Sequence, residues 1–331
     1  MKQYNIPSIG GNALPTMDAA AISSGMSFLV SELEKFDSKL REPLTSTTYP
    51  RDIVINSGGG WVEATSAMNV DYATSGYGEA GGVANQIKRI QADVSKDIFK
   101  VIPYEVSMGV KYIDVQRGAL TGRSIEQVYD KGIRLDFDKH MDLNTYVGFE
   151  QYGTYGLVNQ PEVTAVSAST GASGQTDWEH KTPQEILNDV NMAILEGWKR
   201  SQYDQSAIPN HILISPKRYA YIINTMVSIA GVNGAISIME YLKKNNIAKD
   251  KGVDLFIGDC RWCEEAGTGK QERLVAYVND DYFVGMDMPQ QLTRVMTQPN
   301  VNTASYETLY AANVGQVKIH YTEPFVYVDG I

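Results

Sequence analysis

The chain has 331 residues, enough for one large or two modest domains that bury roughly three-quarters of their unfolded surface. Apolar residues make up 43% and charged residues 21%, which excludes a disordered chain, and no run has the apolar length of a membrane-spanning helix. A net charge of −10 argues against a groove that grips nucleic acid, since phosphates are neutralised by Lys and Arg, but it allows a wall that merely encloses it.

Residues 1–50 set several Pro, Gly and Ser/Thr positions around one helical stretch, GMSFLVSELEKFDSKL, and read as an arm that needs a surface to lie against. The opening MKQYNIPSIGGNALP has one lysine and no apolar core, so no secretory signal is expected. From 51 to about 118 the pattern is β-like, in DIVI, WVEATSAM and IFKVIPYEVSMGV. A long polar, glycine-rich connection separates the last two, which predicts a protruding hairpin. An insert of that length is expected to be functional or to reach a partner.

Within it, SGYGEAGG matches the dinucleotide fingerprint as Gly76-x-Gly78-x-x-Gly81. The context argues against a nucleotide site. NVDYATS is too polar for a strand buried in a parallel sheet, although GVANQIKRIQADVSKD offers a short helix. Asp93 and Asp97 precede the next apolar run, where the fingerprint needs an acid that closes one. A glycine-rich surface loop is the better reading.

Ser124 and Gln127 form a capping box, from which SIEQVYDKGIRLDFDKHMDLNTYVG predicts a helix of about seven turns, interrupted only by Gly132. Its many charges predict a surface helix with one inward apolar stripe. GLVNQPEVTAVSAS ends it. A second capping box, Thr182-Pro183-Gln184-Glu185, opens a helix with Ile186, Leu187, Val190, Ala193, Ile194, Gly197 and Trp198 on one core-facing side. HILIS is a predicted strand, Ser215-Pro216 starts a helix over KRYAYIINTM, SIMEYLKKNN gives another, and VDLFIG and ERLVAYV give two strands. The middle of the chain is therefore a small α/β unit. The end returns to β character, with Val317, Ile319 and Tyr321 alternating to one side of QVKIHY. There are no internal repeats.

Candidate chemistry is sparse. Cys260 and Cys263 form a CxxC that suits a redox pair or half a zinc site. His140, His180, His211 and His320 are scattered without ligand spacing, and EEAGTGK reads as a turn where a redox motif needs a helix. Two reduced structural thiols of a cytosolic context are the better reading. GTGKQ at 267–271 resembles a phosphate-binding loop, but Glu264 stands where the first glycine belongs and a strand follows, so a β-hairpin turn is expected. Asp280 and Asp281 are also expected in a turn, since adjacent strand residues point to opposite faces. There is no G-x-S-x-G elbow and no H-E-x-x-H. No catalytic, cofactor-binding or metal residue is nominated.

The order of elements, together with GLVNQPEVTAV at 156–166, NHILISPKRYAYI at 210–222, RLVAYVNDDYFVGMDMPQQ at 273–291 and the closing GQVKIHYTEPFVYVDGI, resembles the major capsid proteins of tailed bacteriophages. The resemblance covers nearly the whole chain. It implies an α+β, Hong Kong 97-type capsid fold with an N-terminal arm over 1–51 and an extended E-loop hairpin over 52–110. The peripheral (P) domain, with its long spine helix, would take 111–160 and 291–331, and the α/β axial (A) domain 161–290. Gly58, Gly59, Trp61, Tyr77 and Gly78 of the E-loop are then the expected inter-subunit contacts.

The implied function is non-enzymatic self-assembly into pentamers and hexamers of an icosahedral head around double-stranded DNA, without sequence-specific DNA binding, cofactor or membrane. Portal, scaffolding and decoration proteins are the implied further partners, and the virion, assembled in the host cytoplasm, is the implied location. Because the arm begins at Met1, neither a fused scaffold nor N-terminal cleavage is expected, and no Lys–Asn pair stands out for covalent cross-linking. Twenty tyrosines against eight phenylalanines fit surfaces buried against partners. An encapsulin-like compartment shell is the alternative with the same fold. An α/β enzyme using the GxGxxG or the CxxC is the remote one.

Overall fold

A computed structural model describes residues 46–75, 89–121, 125–228 and 235–331. The arm helix within 25–40, the cap at Ser124 and the fingerprint glycines Gly76, Gly78 and Gly81 lie outside the described residues. Thr47–Ile331 forms one compact unit.

The unit opens with a short helix, α1 (Tyr49–Asp52), and strand β1 (Val54–Ser57). β2 (Ala64–Ser75) and β3 (Arg89–Lys111) then pair antiparallel, from Ala64 opposite Lys100 to Ser75 opposite Arg89. The expected hairpin is present and longer than WVEATSAM suggests. NVDYATS belongs to β2, and residues 89–97 form strand in β3 where the sequence offers a short helix. Their polarity rules out a parallel strand buried on both faces, yet it suits an exposed antiparallel ribbon.

β3 runs into α2 (Tyr112–Thr121), a helix that the sequence pattern does not separate from the strand, and α3 (Ile125–Tyr146) follows. The charged α3 keeps one inward stripe, Ile133, Phe137 and Met141, spaced by four residues as a helical face requires.

After β4 (Ala165–Ser167), α4 (Pro183–Arg200) starts on the expected capping box. Thr182 Oγ1 accepts the Glu185 N–H, and the Glu185 carboxylate accepts the Thr182 N–H at 2.8 Å. Its stripe from Ile186 to Gly197 is buried, with Trp198 half-buried. The α/β unit continues through β5 (His211–Ile214), α5 (Pro216–Asn224), β6 (Met226–Ser228), β7 (Ala235–Ser237), α6 (Ile238–Asn245), α7 (Ile247–Asp250), β8 (Phe256–Asp259) and β9 (Arg273–Tyr277). The chain closes with β10 (Val284–Met288), β11 (Gln290–Asn300), β12 (Ser305–Gly315), β13 (Val317–Ile319) and β14 (Val326–Asp329).

The largest described sheet has the order β4-β14-β9-β5-β8. Its inner strands β14, β9 and β5 are buried on both faces, and alternation divides them between two cores. Leu274, Ala276, Val326 and Val328 point into the layer of α4, α5 and α6, while Val275, Tyr277, Phe325 and Tyr327 pack with Phe137, Met141 and Tyr146 of α3. β14 comes from the end of the chain yet lies inside the α/β sheet, so the segment 291–331 contributes to both layers. β1, β10 and β13 form a second sheet, and β11, β12, β3 and β2 a third.

Two expected details differ. GTGKQ is a turn, closed by the Gly267 N–H on the Gln271 carbonyl at 2.8 Å, but it is not a hairpin, because β5 lies between β8 and β9. The alternation in QVKIHY ends early: β13 stops at Ile319, and Tyr321 is exposed on the turn beyond it.

Candidate assembly surface

The outer part of the β2–β3 ribbon sorts its side chains by register, because residues directly opposite in an antiparallel ladder share a face. The pairs Ser66–Ile98, Met68–Lys96, Val70–Val94, Tyr72–Ala92 and Thr74–Ile90 make one face. It is apolar and uncovered: Met68 is 75% exposed, Tyr72 74% and Ile98 67%, with Val70, Ile90 and Val94 beside them. The other face is acidic and polar, with Ala67–Asp97, Asn69–Ser95, Asp71–Asp93 and Ser75–Arg89. Asp71 directly opposes Asp93, an arrangement that destabilises a ladder. A two-stranded ribbon is marginal alone in water, and a continuous apolar face of this kind marks an interaction surface.

The base of the ribbon is fixed by glycine. Gly58, Gly59 and Gly60 have φ of +125°, +114° and +69°, a run that residues with a Cβ rarely adopt. The Gly60 N–H donates to the Pro289 carbonyl at 3.0 Å, and Asn313 Nδ2 donates to the Val62 carbonyl at 2.7 Å. Gly58, Gly59 and Trp61 therefore lie together where the chain leaves β1, with Trp61 58% exposed. Tyr77 and Gly78 lie outside the described residues. The six apolar residues of the ribbon face were not nominated from sequence. Their signal was present as Met68-x-Val70-x-Tyr72 and in the even spacing of Ile90, Val94 and Ile98.

On the body, the ribbon is seated by Phe99, whose ring meets His320 edge-on at 5.8 Å and lies 5.5 Å from Lys318 Nζ. Lys100 Nζ donates to the Tyr152 carbonyl at 2.8 Å. Burial, aided by Lys318, holds the His320 imidazole below its ordinary pKa against the pull of Asp281, Asp287 and Asp97.

The segment just before the ribbon is locked by polar groups. The buried Asp52 carboxylate accepts from Arg51 Nε at 2.7 Å and from the Tyr146 hydroxyl, and faces His211 Nε2 at 3.1 Å. Tyr277 donates to the Asp52 carbonyl at 2.5 Å, and Arg51 reaches Asp259 of β8 at 3.1 Å. Thr48 N–H donates to Asp142 of α3 at 3.0 Å. Residues 48–52 thus pin α3 to the α/β sheet.

The nominated cysteines, histidines and paired aspartates serve local packing and turns. Cys260 and Cys263 are buried free thiols, and burial together with the Cys260 contact pushes the Cys263 thiol well above its ordinary pKa, away from the reactive thiolate. The four histidines sit apart: His140 stacks on Phe149, His180 meets Asp177, His211 meets Asp52 and His320 meets Phe99. Asp280 and Asp281 do form a turn: Asp280 Oδ1 accepts the Tyr282 N–H at 2.9 Å, and Asp281 takes Asn56 Nδ2. Among the described residues no group of three or more His, Cys, Asp or Glu is placed to hold a metal ion.

The structure is similar to the capsid of Myoviridae phage XM1, with a TM-score of 0.74 and 15% identity over 91% of this chain and 98% of that one. It is also similar to the capsid of a native GTA particle, with a TM-score of 0.60 and 9% identity over 93% and 98% of the two chains. A third likeness is to Microbacterium phage Oxtober96, with a TM-score of 0.59 and 12% identity over 92% and 98%. These likenesses establish the Hong Kong 97-type capsid fold. No curated protein sequence matches the chain. The model of the major capsid protein family, a structural and not an enzymatic family, matches residues 78–331. The chain belongs to the major capsid protein family.

Proposed function

We propose that this protein self-assembles into the pentamers and hexamers of an icosahedral phage head around double-stranded DNA. Residues 52–110 act as the E-loop laid over a neighbouring copy, 111–160 and 291–331 as the P domain, 161–290 as the A domain and 1–51 as the N-arm. The observation that carries this reading is the ribbon whose six large apolar side chains face outward with nothing among the described residues to cover them. A neighbouring copy supplies that cover. Trp61 joins the contact at the base, while Gly58 and Gly59 set the angle at which the ribbon leaves the body. The net charge of −10 suits a wall that encloses DNA without gripping it. The protein then works in the virion after assembly in the host cytoplasm, beside portal, scaffolding or decoration proteins.

Electron microscopy of the purified chain tests the proposal. Closed shells of pentameric and hexameric capsomers are expected, and a Val70→Asp/Val94→Asp variant should stay folded but fail to close them. Compact monomers from the unaltered protein would overturn the reading. Nuclease-protected double-stranded DNA in particles from infected cells separates a phage head from a compartment shell filled with protein.

A further inference from the structure

A cleft of about 600 Å³ opens between the end of α4, the Asp280–Phe283 turn and the Tyr321–Pro324 segment. Its floor holds two exposed tyrosines: the Tyr282 and Tyr321 rings stack at 5.3 Å and 24°, with their hydroxyls 3.0 Å apart. Phe283 braces both rings from beneath, at 5.3 and 5.6 Å. Glu323 stands beside them, and among the described residues it has no hydrogen-bond or ion-pair partner. Asp204 adds a second carboxylate, which caps its own turn through Ser206 with one oxygen only. Arg200 of the cleft wall is already held by Glu196 at 3.1 Å. Open tyrosine faces beside a free carboxylate are the chemistry that recognises a guanidinium, through cation–π attraction and a charge-assisted hydrogen bond.

One described arginine is available to fill it. Each of the others forms an ion pair with a carboxylate of its own chain. Arg89 is exposed and has no acidic partner among the described residues. It occupies the outermost described register pair of the ribbon, opposite Ser75, on the polar face.

We infer that the Tyr282–Tyr321 cleft receives Arg89 from the ribbon of a second copy, with Glu323 as its counter-ion. The inference rests on the reading that the ribbon crosses to a neighbour. A chain cannot readily serve its own cleft. Its Asp71 already stands close enough to join Tyr282, burial and Glu323 in raising the pKa of the Tyr321 hydroxyl. Arg89 lies four register steps beyond the Asp71–Asp93 pair, about 13 Å farther out at the rise of a strand.

The test is a charge swap read by assembly of the full chain, with light scattering and electron microscopy. Arg89→Glu and Glu323→Arg both change exposed positions, and circular dichroism confirms that each variant folds. Each alone should raise the protein concentration needed for shell formation about tenfold or more. The double variant Arg89→Glu/Glu323→Arg should recover assembly, because every ribbon then meets an opposite charge in the cleft of the next chain. An equimolar mixture of the two single variants should recover it in part, because unlike neighbours match and like neighbours do not. Single variants that assemble like the unaltered protein, or defects that no mixture relieves, would overturn the seat. Rescue by the double variant with no gain at all in the mixture over either single variant would place the contact within a chain and overturn it too. The Val70→Asp/Val94→Asp variant separates the two levels. If it blocks assembly while Arg89→Glu does not, ribbon docking stands and this seat falls. If neither blocks assembly, both fall.

Discussion

The Asp52 carboxylate and the His211 imidazole face each other at 3.1 Å inside the protein, although 159 residues separate them in the chain. Asp52 is fully buried and its other contacts come from Arg51, Tyr146 and Tyr277. This one residue therefore joins the entry to the ribbon, the end of α3 and two central strands, β5 through its carboxylate and β9 through its backbone carbonyl. Burial pushes its pKa up, but hydrogen bonds from His211, Arg51 and Tyr146 outweigh this and hold it below the usual carboxylate value.

Replacing Asp52 by Ala should destabilise the unassembled chain by about 3 kcal/mol, because it leaves Arg51, His211 and Tyr146 without their shared acceptor in the interior. Arg51 is one-third exposed, so water recovers part of its loss and keeps the figure at the low end. Asp52→Asn retains one acceptor oxygen and should lose less. Urea denaturation measures both, and equal losses for the two variants would refute the account.

The same carboxylate makes stability fall in acid. Asp329 behaves alike: burial raises its pKa, but Arg273 at 2.6 Å and the Thr268 N–H lower it further. Both groups bind protons more readily in the unfolded chain, where a carboxyl titrates near about 3.9. Their contribution is complete above that value and is lost as pH drops through the folded values. The urea midpoint should ease down between pH 7 and about 5, because burial holds His320 and His140 below their ordinary pKa so that the unfolded chain takes those protons first. It should decline more steeply below about 4 as the two carboxylates protonate. A flat midpoint down to pH 3 would contradict the pairing.

Two helical glycines should respond to alanine with opposite signs. On α4 a Cβ at Gly197 would meet Pro209 Cγ at 2.9 Å and the Pro324 carbonyl at 3.0 Å. That overpacking outweighs the helix-propensity gain of about 1 kcal/mol, so Gly197→Ala should lose about 1–2 kcal/mol net. On α3 a Cβ at Gly132 meets nothing within 4 Å, so Gly132→Ala should gain up to about 1 kcal/mol. Thermal midpoints of the two variants moving the same way would be inconsistent with this packing.

These contrasts mark where the fold is legible from the sequence. α4 was readable in full, since its cap and its buried face are both local patterns, from Thr182 to Gly197. α2 was not, because Tyr112 continues an apolar β run without a capping residue or a breaker. The polar end of β2 was missed because a ribbon with two exposed faces lacks the hydrophobicity that announces a strand, yet the alternation of Met68, Val70 and Tyr72 carried its apolar face. The Asp52 cluster and the Tyr282–Tyr321 cleft join residues from distant segments, and no spacing in one sequence announces such a meeting.

The last prediction follows from how little the outer ribbon packs on its own chain. From Val70 outward on β2, and back to Ile98 on β3, every described side chain is exposed apart from Ser75, whose burial is not described. The first inward contact there is Phe99 on His320. Deleting residues 70–90 should therefore leave the far-ultraviolet circular dichroism of the α/β unit and the urea midpoint close to those of the full chain. The same deletion should abolish shells, since it removes Val70, Tyr72, Ile90 and the whole distal end at once. Global unfolding of the deleted chain would mean that the ribbon is part of the folding core, and the surface would then lose its role as a separable docking element.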